Sequence, residues 1–227
     1  ILRSFDHANQ AGASGQCILR FDDTNPDTEK LEYVQAIQRD IQWLASGTLG
    51  SHIKPVKVTY TSDYFERLFQ IALRLIDLNL AYVDSAPVEQ IRTCRYQGIA
   101  TPDRDRSVSE NKRLFLEMRD GKHPEGSLVL RLKISVDNPN TPMRDPIAYR
   151  IRLPKNSLHY RTGSDWSIYP SYDFSHGLVD SMEQITHSFC TREFFIRRNL
   201  YYWVIDTLNS HGGLSPTGPL LHRPLVE

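Results

Sequence analysis

The stretch Gly15-Gln-Cys-Ile-Leu-Arg-Phe-Asp-Asp-Thr-Asn-Pro26 (residues 15–26) decides how the rest of the chain is read. A short apolar run, residues 17–21, ends in two adjacent aspartates and then in Thr24, Asn25 and Pro26. Asp, Asn and Pro favour turns, and Asp27 or Thr28 could cap a following helix. The same arrangement fits a binding loop, because α/β sheets hold ligands at the carboxyl ends of their strands. A buried strand, a loop and a helix are therefore expected, with two carboxylates at the strand exit.

Outward from that stretch the first third alternates strand and helix. Residues 29–45 carry Leu31, Val34, Ile37, Ile41 and Leu44 at helical spacing. Residues 56–60 (VKVTY) read as a second strand. Asp63 with Glu66 resembles a capping box that opens a helix through Leu68, Ile71, Leu75 and Leu78. Beyond Ala81–Asp84 the pattern changes to helical stretches near 87–95 and 107–120. Two alternating runs, LVLRLKI (128–134) and IAYRIRL (147–153), then read as antiparallel strands with a basic outer face. The last third returns to α/β: a strand over DWSIYP (165–170), a helix over 171–184, a strand and turn over 185–191, and a helix over 194–208 with Phe194, Leu200, Trp203, Val204 and Leu208 inward. NSHGGLSPTGP (209–219) reads as a linker.

Composition limits the function classes. The 227 residues are 40% hydrophobic and 24% charged, enough for a soluble core of one or two domains. No apolar stretch approaches 20 residues and no secretory signal opens the chain, so a membrane span is not expected and a cytoplasmic setting is. Cys17, Cys94 and Cys190 are odd in number and lack zinc-ligand spacing, which fits reduced thiols and no metal site. The first residues read as the tail of a helix ended by glycine, as in a fragment of a longer protein. Net charge is zero, yet residues 92–161 hold 15 Lys and Arg against 8 Asp and Glu. A basic middle between acidic flanks suits either a polyanionic partner or a solvated face.

Eight blocks in order complete the pattern: GQCILRFDDTNP, TYTSDYF, AYVD, RDRSVSEN, LRLKI, MRDPIAYRI, YPSYDFSHGLVD and ITHSFCTREF. Together they resemble the catalytic core of the glutaminyl-tRNA synthetases, class I aminoacyl-tRNA synthetases, over nearly the whole chain. The resemblance implies an α/β, Rossmann-type catalytic domain split by an α+β insertion that binds the tRNA acceptor end. Residues 1–61 and 166–227 would be its halves and 62–165 the insertion. It implies activation of glutamine with ATP and Mg2+ to an aminoacyl-adenylate, then transfer to the 3′-terminal adenosine of tRNA(Gln). The family's two ATP signatures fall outside these residues.

By the same mapping Asp22 holds the substrate's α-ammonium, and Asp23 is structural. Tyr172 reads the side-chain amide, His176 lines the amino-acid pocket, and Thr191 contacts ATP. Arg92, Arg95, Arg104 and Arg106 face the acceptor end. No residue is assigned a covalent or acid–base catalytic role, and Cys190 is read as a small packing residue, because the ligase reaction rests on positioning and charge stabilisation. Two departures from the family pattern stand out. Ile196 replaces an acidic residue that reads the acceptor stem, leaving that readout to neighbours such as Arg197, and residues 97–103 form a short segment. Two other readings remain open: a glutamyl-tRNA synthetase of eukaryotic or archaeal type, in which an arginine rather than Cys190 would stand beside the threonine, and an inactive tRNA-binding relative.

Overall fold

A computed structural model describes residues 1–12, 15–48, 57–153, 158–213 and 221–226. After helix α1 (Leu2–Gln10), strand β1 (Ile18–Phe21) pairs in parallel with β2 (Lys57–Tyr60), Ile18 opposite Lys57 and Phe21 opposite Tyr60. Helix α2 (Leu31–Thr48) makes the crossover that parallel strands require. It starts two residues later than expected, because Asn25–Thr28 turn first and the Glu29 carboxylate accepts the Asn25 N–H at 3.2 Å. Its inward stripe is also narrower: Val34 and Ile41 are buried, whereas Leu31 and Ile37 are exposed. β1 is only partly buried along its length, contrary to the expected buried strand, since β2 is its one strand partner among the described residues.

The anticipated capping box does not form. Thr61–Tyr64 make a 3-10 turn, helix α3 begins at Phe65 and runs to Asp77, and its N-cap residue Tyr64 makes no side-chain capping bond. Asp63 instead pairs with Arg161 at 2.8 Å, and Glu66 accepts from Gln70 at 2.8 Å. What holds α3 is burial. Phe65, Leu68, Phe69, Ile71, Ala72, Leu75 and Ile76 form one apolar face in the core, each large side chain contributing about 1.5–3 kcal/mol relative to exposure.

That face packs on a four-stranded antiparallel sheet in the order β3 (Ala81–Asp84), β4 (Val129–Leu132), β5 (Ile147–Ile151), β6 (Ile168–Pro170). Helices α4 (Val88–Gln97) and α5 (Val108–Arg119) connect β3 to β4. Strand β6 pairs with β5 through Tyr149 opposite Pro170 and Ile151 opposite Ile168, so residues on both sides of position 165 share a sheet. The basic outer face is not as the alternation suggests. Arg131 is 3% exposed and its Nη1 lies 2.7 Å from Asp84, because a buried carboxylate on the neighbouring strand draws the guanidinium inward.

Helix α6 (Tyr172–Met182) follows β6 directly, and α7 (Arg198–Ser210) packs across it. The helix expected over 194–208 is divided: Arg192–Arg197 form a 3-10 segment that leaves Phe194 at 36% exposure rather than inward, while Leu200, Val204 and Leu208 enter the core. Strands β7 (His187–Ser188) and β8 (Leu225–Val226) pair in parallel. Residues 214–219 of the expected linker lie outside the described residues. All three cysteines are free thiols, and no helix among the described residues is long and apolar enough to cross a membrane.

Candidate functional site

The chain leaves β1 at Asp22 and Asp23, and the two carboxylates are treated differently. Asp23 is 1% exposed and accepts from the Ser62 N–H at 2.8 Å and the Ser62 hydroxyl at 2.6 Å. Burial pushes its pKa up, against the pull of the Ser62 bonds and the nearby His159 and Arg161. Asp22 keeps about a third of its side chain exposed and accepts one hydrogen bond, 2.9 Å, from the Thr61 hydroxyl. Its Oδ1 lies 3.6 Å from Arg20 Nε. Asp22 is thus the carboxylate available to a ligand and Asp23 the one that holds the loop.

Across from Asp22 stands the first turn of α6. Ser171 caps it, accepting from the Phe174 N–H while its own hydroxyl donates to the Ile147 carbonyl at 2.6 Å. That double attachment fixes Tyr172 at the helix start, and His176, one turn on, lies with its ring 4.7 Å from the Tyr172 ring. Both line a cleft together with Ser188, Cys190, Phe194 and Tyr201. Cys190 therefore faces the cleft rather than serving only to pack. Asp22 and Thr191 are outside that lining, although the Asp22 charge acts on Tyr172: burial first, then the Asp22 and Asp180 carboxylates, push the phenol pKa well up, so the hydroxyl stays protonated near neutrality.

Behind the cleft lies a charged network that sequence reasoning missed. Asp180, 3% exposed, accepts from Arg20 and from the Tyr201 hydroxyl at 2.8 Å, and its Oδ2 is 3.3 Å from His176 Nε2. Arg20 also meets the fully buried Glu183 side chain at 3.1 Å. Burial alone would raise the Asp180 pKa, but His176 and Arg20 outweigh it and hold the carboxyl below its ordinary range. Burial lowers the His176 pKa despite Asp180, favouring the neutral imidazole. Gly177 permits this packing: a Cβ there would come within 3.1–3.2 Å of the Tyr201 ring and carbonyl. The signals were present in the sequence, an arginine inside an apolar strand and an aspartate four residues after His176.

Glu29 sits beside the aspartate pair. Burial, reinforced by the charges of Asp23 and Asp22, pushes its pKa up to about 8 against the Asn25 N–H bond. Its Oε2 and the Asn25 Oδ1 are buried without hydrogen-bond partners.

The four arginines of the basic segment divide. Arg95 donates to the Arg144 and Thr141 carbonyls, Arg104 pairs with the buried Asp145 at 2.6 Å, and Arg106 holds Asp103 and the Val83 carbonyl. Arg92 is exposed and, among the described residues, pairs with Glu89 on its own helix at 2.9 Å. Ile196 is exposed and its carbonyl accepts from Asn140, while Arg197 pairs with Asp173. Thr191 is exposed at the start of the 192–197 turn and makes no capping bond.

The catalytic-domain family of class I tRNA synthetases (E and Q) matches residues 1–213. The chain belongs to this family. Glutamine–tRNA ligase of Sodalis glossinidius is 50% identical over 203 residues, 87% of this chain and 35% of that protein. Glutamine–tRNA ligase of Vibrio cholerae (strain O395) is 48% identical over 200 residues, 86% of this chain and 34% of that protein. The chain thus spans about a third of the length of the curated relatives it matches. A glutamate tRNA ligase crystal structure from Elizabethkingia meningosepticum superposes over 98% of this chain and 44% of its own, with a TM-score of 0.59 at 17% identity. That likeness bears on the fold, which is the mixed α/β, Rossmann-type architecture of the class I tRNA synthetase (E and Q) catalytic domains.

Proposed function

We propose that the protein carrying this chain is a glutamine–tRNA ligase: it activates glutamine with ATP and transfers the acyl group to the 3′-terminal adenosine of tRNA(Gln), in the cytoplasm. The observation that carries the reading is the partly exposed Asp22 carboxylate, whose charge reaches the Tyr172 hydroxyl in a cleft that His176 also lines. Asp22 takes the α-ammonium through a charge-assisted contact. The protonated Tyr172 hydroxyl both donates and accepts, so it pairs with the side-chain amide. Specificity rests on the wall beside Tyr172, where Cys190 and a neutral His176 offer no salt bridge to a carboxylate side chain. Arg197 and Arg198 also border the cleft, but Arg197 is held by Asp173.

ATP enters as substrate, with Thr191 as its contact within this chain. Magnesium arrives on the triphosphate oxygens; among the described residues no group of three or more His, Cys, Asp or Glu forms a site for it. Residues 1–61 and 166–227 act as the catalytic halves and 62–165 as the acceptor-end grip. Arg92 is the best placed of the four arginines for a phosphate, while Arg95, Arg104 and Arg106 shape the surface beneath it. Aminoacylation of tRNA by the full-length protein with glutamine and with glutamate tests the reading. Glutamine charging supports it, glutamate charging assigns the protein to the sister specificity, and charging with neither refutes both.

A further inference from the structure

The loop that carries Asp22 is held from a distant part of the chain. Residues 158–163 form a tight turn closed by a His159–Gly163 bridge, and His159 is 2% exposed. The N–H groups of Arg161 and Thr162 both point at His159 Nδ1, at 3.3 and 3.1 Å. Backbone amides can only donate, so Nδ1 accepts and the ring proton is on Nε2. Nε2–H then donates to the backbone carbonyl of Asp23 at 2.8 Å. The ring is packed against Phe65, Tyr160 and Tyr169, which fixes its orientation.

A second tie runs in parallel. Arg161 lies over the Tyr60 ring at 3.9 Å and donates to the Ser62 hydroxyl at 2.6 Å, which in turn donates to the Asp23 carboxylate at 2.6 Å. Both the main chain and the side chain of Asp23 are thereby tied, and the Thr24 N–H closes a turn onto the Asp22 carbonyl at 2.8 Å. Asp22, one Cα away, presents its partly exposed carboxylate from a backbone anchored at the next residue.

We propose that the 158–163 turn is a clasp whose His159 positions Asp22 for the substrate's α-ammonium, a role that rests on the ammonium assignment of Asp22 made above. His159 touches no reacting atom; it acts through Asp23. Losing a merely structural residue would depress turnover and the affinities for all substrates together. Losing a positioning residue for the ammonium raises the KM for the amino acid alone.

The test uses the full-length protein in ATP–pyrophosphate exchange with tRNA present. His159→Phe keeps the aromatic packing and removes both hydrogen-bonding atoms; His159→Gln keeps an N–H for the Asp23 carbonyl. Expected is a rise of about tenfold in the KM for glutamine in the Phe variant, with kcat and the KM for ATP within about twofold of wild type. The Gln variant recovers to within about threefold. Ser62→Ala, a smaller change that cuts the second tie, raises the same KM about threefold, and it alone carries the test if His159→Phe does not fold. An unchanged glutamine KM, or parallel losses in glutamine KM, ATP KM and kcat, overturns the proposal while leaving the functional reading intact. If the wild type uses glutamate, the glutamine reading fails and the same comparison with glutamate decides the role of His159, since the ammonium is common to both. A wild type inactive with either amino acid overturns both.

Discussion

Replacing Asp180 by asparagine separates charge from hydrogen-bond geometry behind the cleft. Asp180 accepts from Arg20 and from the Tyr201 hydroxyl and is buried with both. In Asp180→Asn the cheapest arrangement turns the amide oxygen toward Arg20 and lets the amide N–H donate to the Tyr201 oxygen, whose hydroxyl can rotate to accept. Contacts are retained and one negative charge is lost. Breaking a buried pair outright costs about 3–5 kcal/mol, but Arg20 keeps Glu183 at 3.1 Å and Asp22 at 3.6 Å. The expected loss is therefore about 2–3 kcal/mol, below the outright figure. Asp180→Ala also removes the buried acceptor of the Tyr201 hydroxyl and adds about 1 kcal/mol. Urea denaturation of the full-length protein, with the slope unchanged, reads both. Without Asp180, Arg20 should also draw Asp22 toward its unpartnered Nε, so the KM for glutamine rises in either variant. A loss under about 1 kcal/mol in Asp180→Asn, or an alanine variant no worse than the asparagine one, would refute the reasoning.

Tyr172→Phe should weaken glutamine selection by about 1–3 kcal/mol, as for a buried hydrogen bond left unmade; unchanged discrimination between glutamine and glutamate in exchange assays counts against the hydroxyl. Asp22→Ala should raise the glutamine KM sharply and leave tRNA binding nearly intact, measured by filter binding. Glu29, raised to about 8 in the fold, stabilises fully below its ordinary pKa of 4.5 and loses that contribution as pH rises through 8. Glu29→Gln should accordingly flatten the fall in stability between about pH 4.5 and 8, by about 1–2 kcal/mol after allowance for its partial exposure. His176 has the opposite sign: its lowered pKa means stability present above 6.5 and lost as pH falls below it, so His176→Gln should blunt acid destabilisation beginning near pH 6.

Helix α3 was legible because its apolar spacing coincides with what the core buries, and β4 with β5 because alternation is the direct imprint of a pleat. Arg131 was misread for an instructive reason: alternation reports which face a side chain leaves from, not whether a buried partner awaits it there. Asp84 is 47 positions away in sequence, and nothing local announces the pair. The Asp63–Glu66 signature failed the same way, outcompeted by Arg161 for Asp63. At the site, the division between Asp22 and Asp23 followed from the resemblance, while the physical cause, Ser62 closing on the carboxylate of Asp23 and His159 on its backbone carbonyl, required the fold. Arg20, Asp180 and Tyr201 meet only when β1, α6 and α7 are assembled.

The pairing of β5 with β6 bears on how such proteins can be recombined. On the proposed division, residues 62–165 would be a cassette to exchange between relatives. Cutting at 165 would hand the recipient a β6 evolved against another β5, and Ser171, which follows that strand and anchors Tyr172, donates its hydroxyl to the Ile147 carbonyl inside the cassette. A transplanted segment would thus bring a new bearing for the tyrosine with it, so a workable exchange has to carry residues through the first turn of α6.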